Sequence, residues 1–527
     1  MGQNVWWIRY ITMLIFRIRF NMQNLQRISE RNFILGYNDK DKPEDLRKPD
    51  GSVYMADIRN AFIEENKIMK RTGYSAIGDA PVSKAILGQN KHEPSGGTKY
   101  ILRARNNAGD TQSVIEGWSG SGNWTALTSG SSQTTSLNHE FVMAENATYI
   151  FNGTDTVGKT TNGTSMSTVA AIPIGLGAKW WHNFLFVFGV TGNRSRLYFS
   201  DVNEPETFDG VNGLVDINTD DNENIEALAA LKDILVILKR SSVFLLTGFG
   251  TTDFTLANLD DFGTGIGTIA PRSVVETGND VYFLTYYGDV PHFKSIRRTT
   301  EDALVDGGII SDAITGSMKR MVGGRLNQTA GIFDGRRVWW SVCTSGTTNN
   351  EVFVYDTLTG GWVRLTGINA NIFHNSTISG SPAIYFGSST ANGKSYQMDG
   401  TTNDDGAAIS FLVDTPMYNP QPGYPSRYKY LYLTADVGSE VDLDIDFSPD
   451  GFTFGDRATM SFTGEGAEFG TAIFDTSKFG ATTLARNRIF AGGTANYMQY
   501  RFTNAVVDEE ITIREFEIFW GKRSLRA

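Results

Sequence analysis

The residue types able to do chemistry are sparse in this sequence. Its five histidines are His92, His139, His182, His292 and His374, and no two stand at a metal-ligand or catalytic spacing. His182 follows Trp180 and Trp181 at a strand start, so packing or a turn contact is the expectation there rather than ligation. The single cysteine, Cys343, follows Trp339-Trp340-Ser341-Val342 and is expected to be a buried strand residue rather than a nucleophile. No Gly-x-Ser-x-Gly elbow is present. Gly263-Thr264-Gly265-Ile266-Gly267 is glycine-rich but has neither a phosphate-loop nor a dinucleotide-fingerprint spacing, and reads as a loop between repeats.

The carboxylates give more. Asp442, Asp444 and Asp446 alternate with Val441, Leu443, Ile445 and Phe447, and a period of two puts the three carboxylates on one sheet face and the apolar set on the other. Such a row binds calcium, forms an acidic wall or is simply a solvated face. Ser448-Pro449-Asp450-Gly451 is similar to a degenerate Asp-box, although an Asp-Gly β-turn accounts for it. A catalytic carboxylate pair cannot be picked from 58 acidic residues by spacing. No catalytic residue, cofactor or metal site is therefore assigned, and the expectation is a structural, non-enzymatic protein.

These residues must be positioned by β-structure. The stretch from Trp180 to Phe208 holds two strand-like runs, Phe184–Phe188 and 196–200, around the turn Thr191-Gly192-Asn193. Similar units begin near Lys99, Glu140, Lys179, Ile225, Ser273, Thr329 and Asn371. Steps of about 40–50 residues suit four-stranded propeller blades. The fold class expected is mainly β: a β-propeller of six or seven blades over 97–400, then a β-sandwich over 401–527, with an extended N-terminal arm and hairpin over 1–96. Within that arm, residues 58–74 suit either a helix or a hairpin turning at Glu65–Lys67. The best helix candidate outside the N-terminus lies in the long fifth interval, capped by Ser311 and stopped by Gly323-Gly324.

Charge and cysteine usage narrow the class. A net charge of −11 and a pI near 5.1 argue against wrapping nucleic acid by phosphate neutralisation. One cysteine excludes an intrachain disulfide and fits a reducing cytoplasm. Residues 5–20 are apolar but broken by Arg9, Arg17 and Arg19, which suits neither a membrane-spanning helix nor a signal peptide. Residues 1–21 are either an extension upstream of a true start at Met22 or an arm reaching a neighbouring subunit.

Trp181-His182-Asn183-Phe184-Leu185-Phe186-Val187, with Ser195-Arg196-Leu197-Tyr198-Phe199-Ser200-Asp201 and Glu204-Pro205, resembles the propeller motif of bacteriophage tail hub and nozzle proteins, including the packaged-DNA stabilisation proteins of short-tailed phages. Asn60 followed by Lys70-Arg71-Thr72-Gly73-Tyr74 resembles the N-terminal element of that family. Ile310-Ser311-Asp312-Ala313-Ile314 is similar to its inter-blade helix start, and Gly521-Lys522-Arg523 to its end. The resemblance implies a virion tail protein assembled in the bacterial host cytoplasm. Six copies would form a ring below the portal and adaptor, alongside tail fibre or needle proteins. That ring would continue the DNA exit channel and close it until ejection, without sequence-specific binding. On that reading Asp220, Asp221, Glu223, Asp442, Asp444 and Asp446 are expected to include channel-lining residues, repelling phosphate so that DNA passes. The competing reading is a glycan-binding or glycan-cleaving propeller, that is, a receptor-binding protein.

Overall fold

A computed structural model describes residues 25–130, 132–210, 213–250, 253–259, 266–298, 304–438, 440–451, 453–463 and 483–522. The expectations for residues 1–21, for Gly263–Gly265 and for the tail from Arg523 lie outside them.

The chain forms two compact units, divided elsewhere than at 96/97 and 400/401. One runs from Thr72 to Ile409; the other joins the described residues up to Arg71 with those from Ser410 onward.

The unit from Thr72 to Ile409 is a β-propeller. Six blades are sheets of their own, and a seventh four-stranded meander completes the ring. The inner strands, in ring order, are Ile86–His92, Glu140–Ala144, Gly177–Trp181, Ile225–Leu231, Val275–Glu276, Ala330–Phe333 and Ala370–Ser376. Each touches the next, and the last touches the first. Six of the seven unit starts read from the sequence fall within three residues of these strands. The first does not: its blade begins at Ile86 rather than Lys99. Ile-Leu-Gly-Gln-Asn-Lys-His lacks both an apolar run and a clean alternation, so the segment resembles a loop until its neighbours are known. The ring is closed by an early strand, Ser75–Ile77, which pairs with Ser395–Gln397 as the outermost strand of the last blade.

Local chemistry explains the meanders. Two-residue turns with left-handed backbone join inner to second strands, as at His182-Asn183 (φ 47° and 65°), because this turn geometry matches the twist of the strands. His182 is thus a turn residue, with its ring 4.1 Å from Trp181 and 4.6 Å from Phe249. Blades bury both faces, so second strands are largely apolar runs: all six residues of Ile234–Lys239 are buried, five of them apolar. Aromatic side chains fill the wedges between blades. Phe184, Phe186 and Phe199 surround Phe254, and Phe293 stacks on Trp340 at 4.0 Å. Cys343 is buried just beyond the strand Arg337–Val342. The expected helix shrinks to a 3-10 turn, Asp312–Ile314, and one α-turn, Thr315–Lys319. Ser311 does not cap it; its Oγ instead accepts from the Phe293 amide at 3.0 Å.

In the other unit, residues expected to form an arm are strands. Gln26–Glu30 pairs along Ile511–Lys522, and Ala61–Glu64 forms a hairpin with Lys67–Lys70. Glu65 and Asn66 make the turn at φ 47° and 65°, which settles the 58–74 stretch as a hairpin. Two sheets turn apolar faces to each other, with Phe516 of one 5.5 Å from Phe502 of the other. Val441, Leu443, Ile445 and Phe447 are buried there. Asp450 and Gly451 form the expected tight turn (φ 65° and 77°). No helix of the described residues is long and apolar enough to cross a membrane.

Candidate functional site

The seven inner strands enclose a cavity of about 560 Å³ on the propeller axis. Its lining mixes apolar side chains such as Phe141, Ile332 and Phe373 with Lys91, Glu140, Lys179, Glu226, Arg272, Glu276 and His374. Lys179 Nζ pairs with Glu276 Oε1 at 2.6 Å, and the same oxygen accepts from the Ala230 amide at 2.7 Å. Arg272 Nη2 donates to the Leu87 carbonyl at 2.6 Å and reaches that of His139 at 3.3 Å, tying the first two blades together.

Glu140 is open to the cavity yet surrounded by protein. Desolvation pushes its carboxyl up to about 7 against the pull of Arg272 and Lys179. Burial brings the Arg272 guanidinium down to about 10, with Glu140 acting in the opposite sense. Gly177 makes room for this carboxyl, since a Cβ at that position would lie 1.9 Å from Glu140 Oε2. Glu226 is raised by burial and further by Glu223, with Arg240 and Arg194 opposing. His374 is buried, and burial with Lys91 brings its imidazole down to about 3, so the ring is neutral. Near it, burial alone would raise Glu93. Hydrogen bonds from the Thr377 amide and the Ser376 hydroxyl, with Lys91, instead hold it at about 2.

The axis therefore carries largely compensated charge and one carboxyl able to exchange a proton near neutrality. Among the described residues no three His, Cys, Asp or Glu side chains are grouped to hold a metal ion.

The six acidic residues singled out from the sequence fall into two sets, one in each unit, and none lines the axial cavity. Asp220 is exposed on the short turn Thr219–Asp221. Asp221 grips the buried ammonium of Lys239 at 2.5 and 2.7 Å. Glu223 receives the Ser241 amide at 2.9 Å and lines a polar hollow with Arg194, Arg196 and Asp216. Asp442, Asp444 and Asp446 share one sheet face, as the alternation predicts. There Arg457 pairs with Asp446 at 2.7 Å and with Asp444 at 3.2 Å. Sequence reasoning missed the axial charges. Glu140 and Lys179 stood at unit starts, but no local pattern marks a side chain as pointing to a propeller axis.

No protein-family model and no curated protein matches the chain. Solved structures similar to it include YCF48 from Cyanidioschyzon merolae, at 11% identity over 62% of this chain and 98% of that one, with a TM-score of 0.39. The WD40 domain of Toxoplasma gondii coronin is 12% identical over 65% and 86%, at 0.35. The N-terminal domain of Nup159 is 8% identical over 69% and 98%, also at 0.35. These are likenesses of fold and bear on no activity.

Proposed function

We propose that this chain is a structural, non-enzymatic subunit of a bacteriophage tail. In this reading six copies form a nozzle ring below the portal and adaptor that continues and closes the DNA exit channel until ejection. The unit containing the chain's end is its β-sandwich, and tail fibre or needle proteins are its further neighbours in the virion.

One observation carries the reading: the residues through which the chain resembles that family have structural work to do. Arg71 Nε donates to Asn60 Oδ1 at 3.0 Å, both side chains buried, and Asn60 Nδ2 donates to the Ser410 carbonyl at 2.8 Å. Gly73 lies against backbone, where a Cβ would come within 1.7 Å of the Asn403 carbonyl oxygen. The Tyr74 hydroxyl donates to the Gly367 carbonyl at 2.7 Å, with its ring edge-on to Phe386 and Tyr396. An asparagine followed by arginine, glycine and tyrosine is thus a set of contacts rather than a chance string. The outward aspartate face adds physical support, because like charge limits sticking of DNA phosphate.

The test is the mass of the native protein by light scattering, alone and with portal–adaptor particles. A hexamer, or incorporation of six copies at the tail vertex, is expected. A monomer or trimer that ignores those particles and binds glycan overturns the proposal in favour of a receptor-binding propeller.

A further inference from the structure

The two outer faces of the unit containing the chain's end carry opposite charge. On one sheet the register aligns Arg27, Phe519, Tyr430 and Phe490 in a row across four strands. Arg488 lies beside it, its guanidinium 5.3 Å from the Tyr430 ring and its Nη1 donating to the Tyr432 hydroxyl at 3.1 Å. Arg486 stacks on Tyr432 at 5.0 Å. Phe490 is 65% exposed. Arg27 and Arg486 share Glu517, and Arg31 takes Glu515. Four arginines against these two glutamates give this cluster a balance of +2 on a chain of net charge −11.

The opposite outer face bears Asp442, Asp444 and Asp446 against Arg457, a balance of −2. Arg501 beside them is taken by Asp414 through two bonds of 2.6 and 2.7 Å. Arg488 on one face and the exposed Asp442 on the other each lack an ionic partner among the described residues. Exposed arginine and aromatic side chains are the composition of association surfaces.

We infer that the arginine–tyrosine face of one copy docks on the aspartate face of a second copy, bringing Arg488 to the neighbour's Asp442. Because the faces lie on opposite sides of one unit, the contact is heterologous and repeats head to tail, as a ring requires. This rests on the ring reading above and supplies its interface. A single nucleic-acid strand is the competing occupant, since arginines and aromatics also stack bases. Glu515 and Glu517 within the same face disfavour it.

The experiment uses the full chain and two double variants, R486E/R488E and D442K/D444K, followed by sedimentation with and without portal–adaptor particles. Circular dichroism checks that each variant folds. Wild type is expected to assemble and each variant alone to lose association at least tenfold. An equimolar mixture of the two variants should assemble again, because the reversed faces are complementary. Wild-type-like assembly of either variant overturns the interface and leaves the ring reading standing. Failure of the mixture to assemble also overturns the interface, as does retention of oligothymidylate by wild type but not by R486E/R488E. A wild type that stays monomeric even with the particles overturns both.

Discussion

Arg103 and Glu116 sit directly across from each other on adjacent strands of the first blade, Nε to Oε2 at 2.8 Å, with both side chains closed off from solvent. Arg105 reaches the same carboxylate at 3.0 Å, and the Arg103 guanidinium lies 3.9 Å from the Trp124 ring. One buried carboxylate thus holds two guanidinium groups. Glu116→Gln is expected to destabilise the propeller by about 3–5 kcal/mol, because buried cations lose their counter-charge. Replacing Arg103, Arg105 and Glu116 together by Met, Met and Leu should cost less than Glu116→Gln alone, since no buried charge is then left without its partner. Urea denaturation followed by tryptophan fluorescence measures both.

Asp221 and Asp220 separate structural from surface roles. Lys239 has no solvent exposure, and Asp221 with the carbonyls of Ile217 and Asn218 surrounds its ammonium. Asp221→Ala should lower stability by about 2–4 kcal/mol, whereas Asp220→Ala should change it by less than about 0.5 kcal/mol. Equal effects in thermal melts would contradict this assignment.

Gly73→Ala tests a close approach. The added methyl meets the Asn403 carbonyl at 1.7 Å, so backbone must move, and loss of several degrees in Tm or of soluble protein is expected. At Gly400, with φ 79° and open space around it, alanine should cost only about 1 kcal/mol of backbone strain.

Acid stability should depend on His374. Folded, it stays neutral down to about 3, while the unfolded chain takes up a proton near 6.5. Through that window the unfolded state binds more protons, so stability falls as pH falls, by about 1.4 kcal/mol per unit for one such group. Glu140 acts oppositely: with its carboxyl raised from 4.5 to about 7, its contribution is lost as pH rises through that range. Below pH 4.5 Glu140 is protonated in both states, while Glu93, held at about 2, adds a loss of the same sign as the histidine's. His374→Phe, which keeps a ring against Tyr385, should flatten the fall in urea midpoint between pH 4.5 and 3.5 relative to wild type.

Much of the propeller is legible in the sequence because its hairpins are local. Glu140, Ile225 and Ala370 open strands at or beside the expected unit starts, since apolar runs and two-residue turns repeat within each blade. What links distant segments is not legible. Nothing near Ser75–Ile77 announces its partner at Ser395–Gln397, and nothing near Gln26 announces Trp520. For the acidic residues, alternation was enough to put Asp442, Asp444 and Asp446 on one face. It could not separate Asp221, held by a buried lysine, from its exposed neighbour Asp220.

Both units are finished by strands that lie far apart in the chain. Arg27 meets Glu517 across 490 residues. On the ribosome, at about 5–20 residues per second, the first strands emerge on the order of a minute before their partner exists. Blades two to six can form as they are made, but Ser75–Ile77 must wait for Ser395–Gln397, and Gln26–Glu30 for Ile511–Lys522. A nascent chain therefore holds open sheet edges until these partners are made, and no product lacking Gln26–Glu30 or Ile511–Lys522 can complete the sheet those strands share.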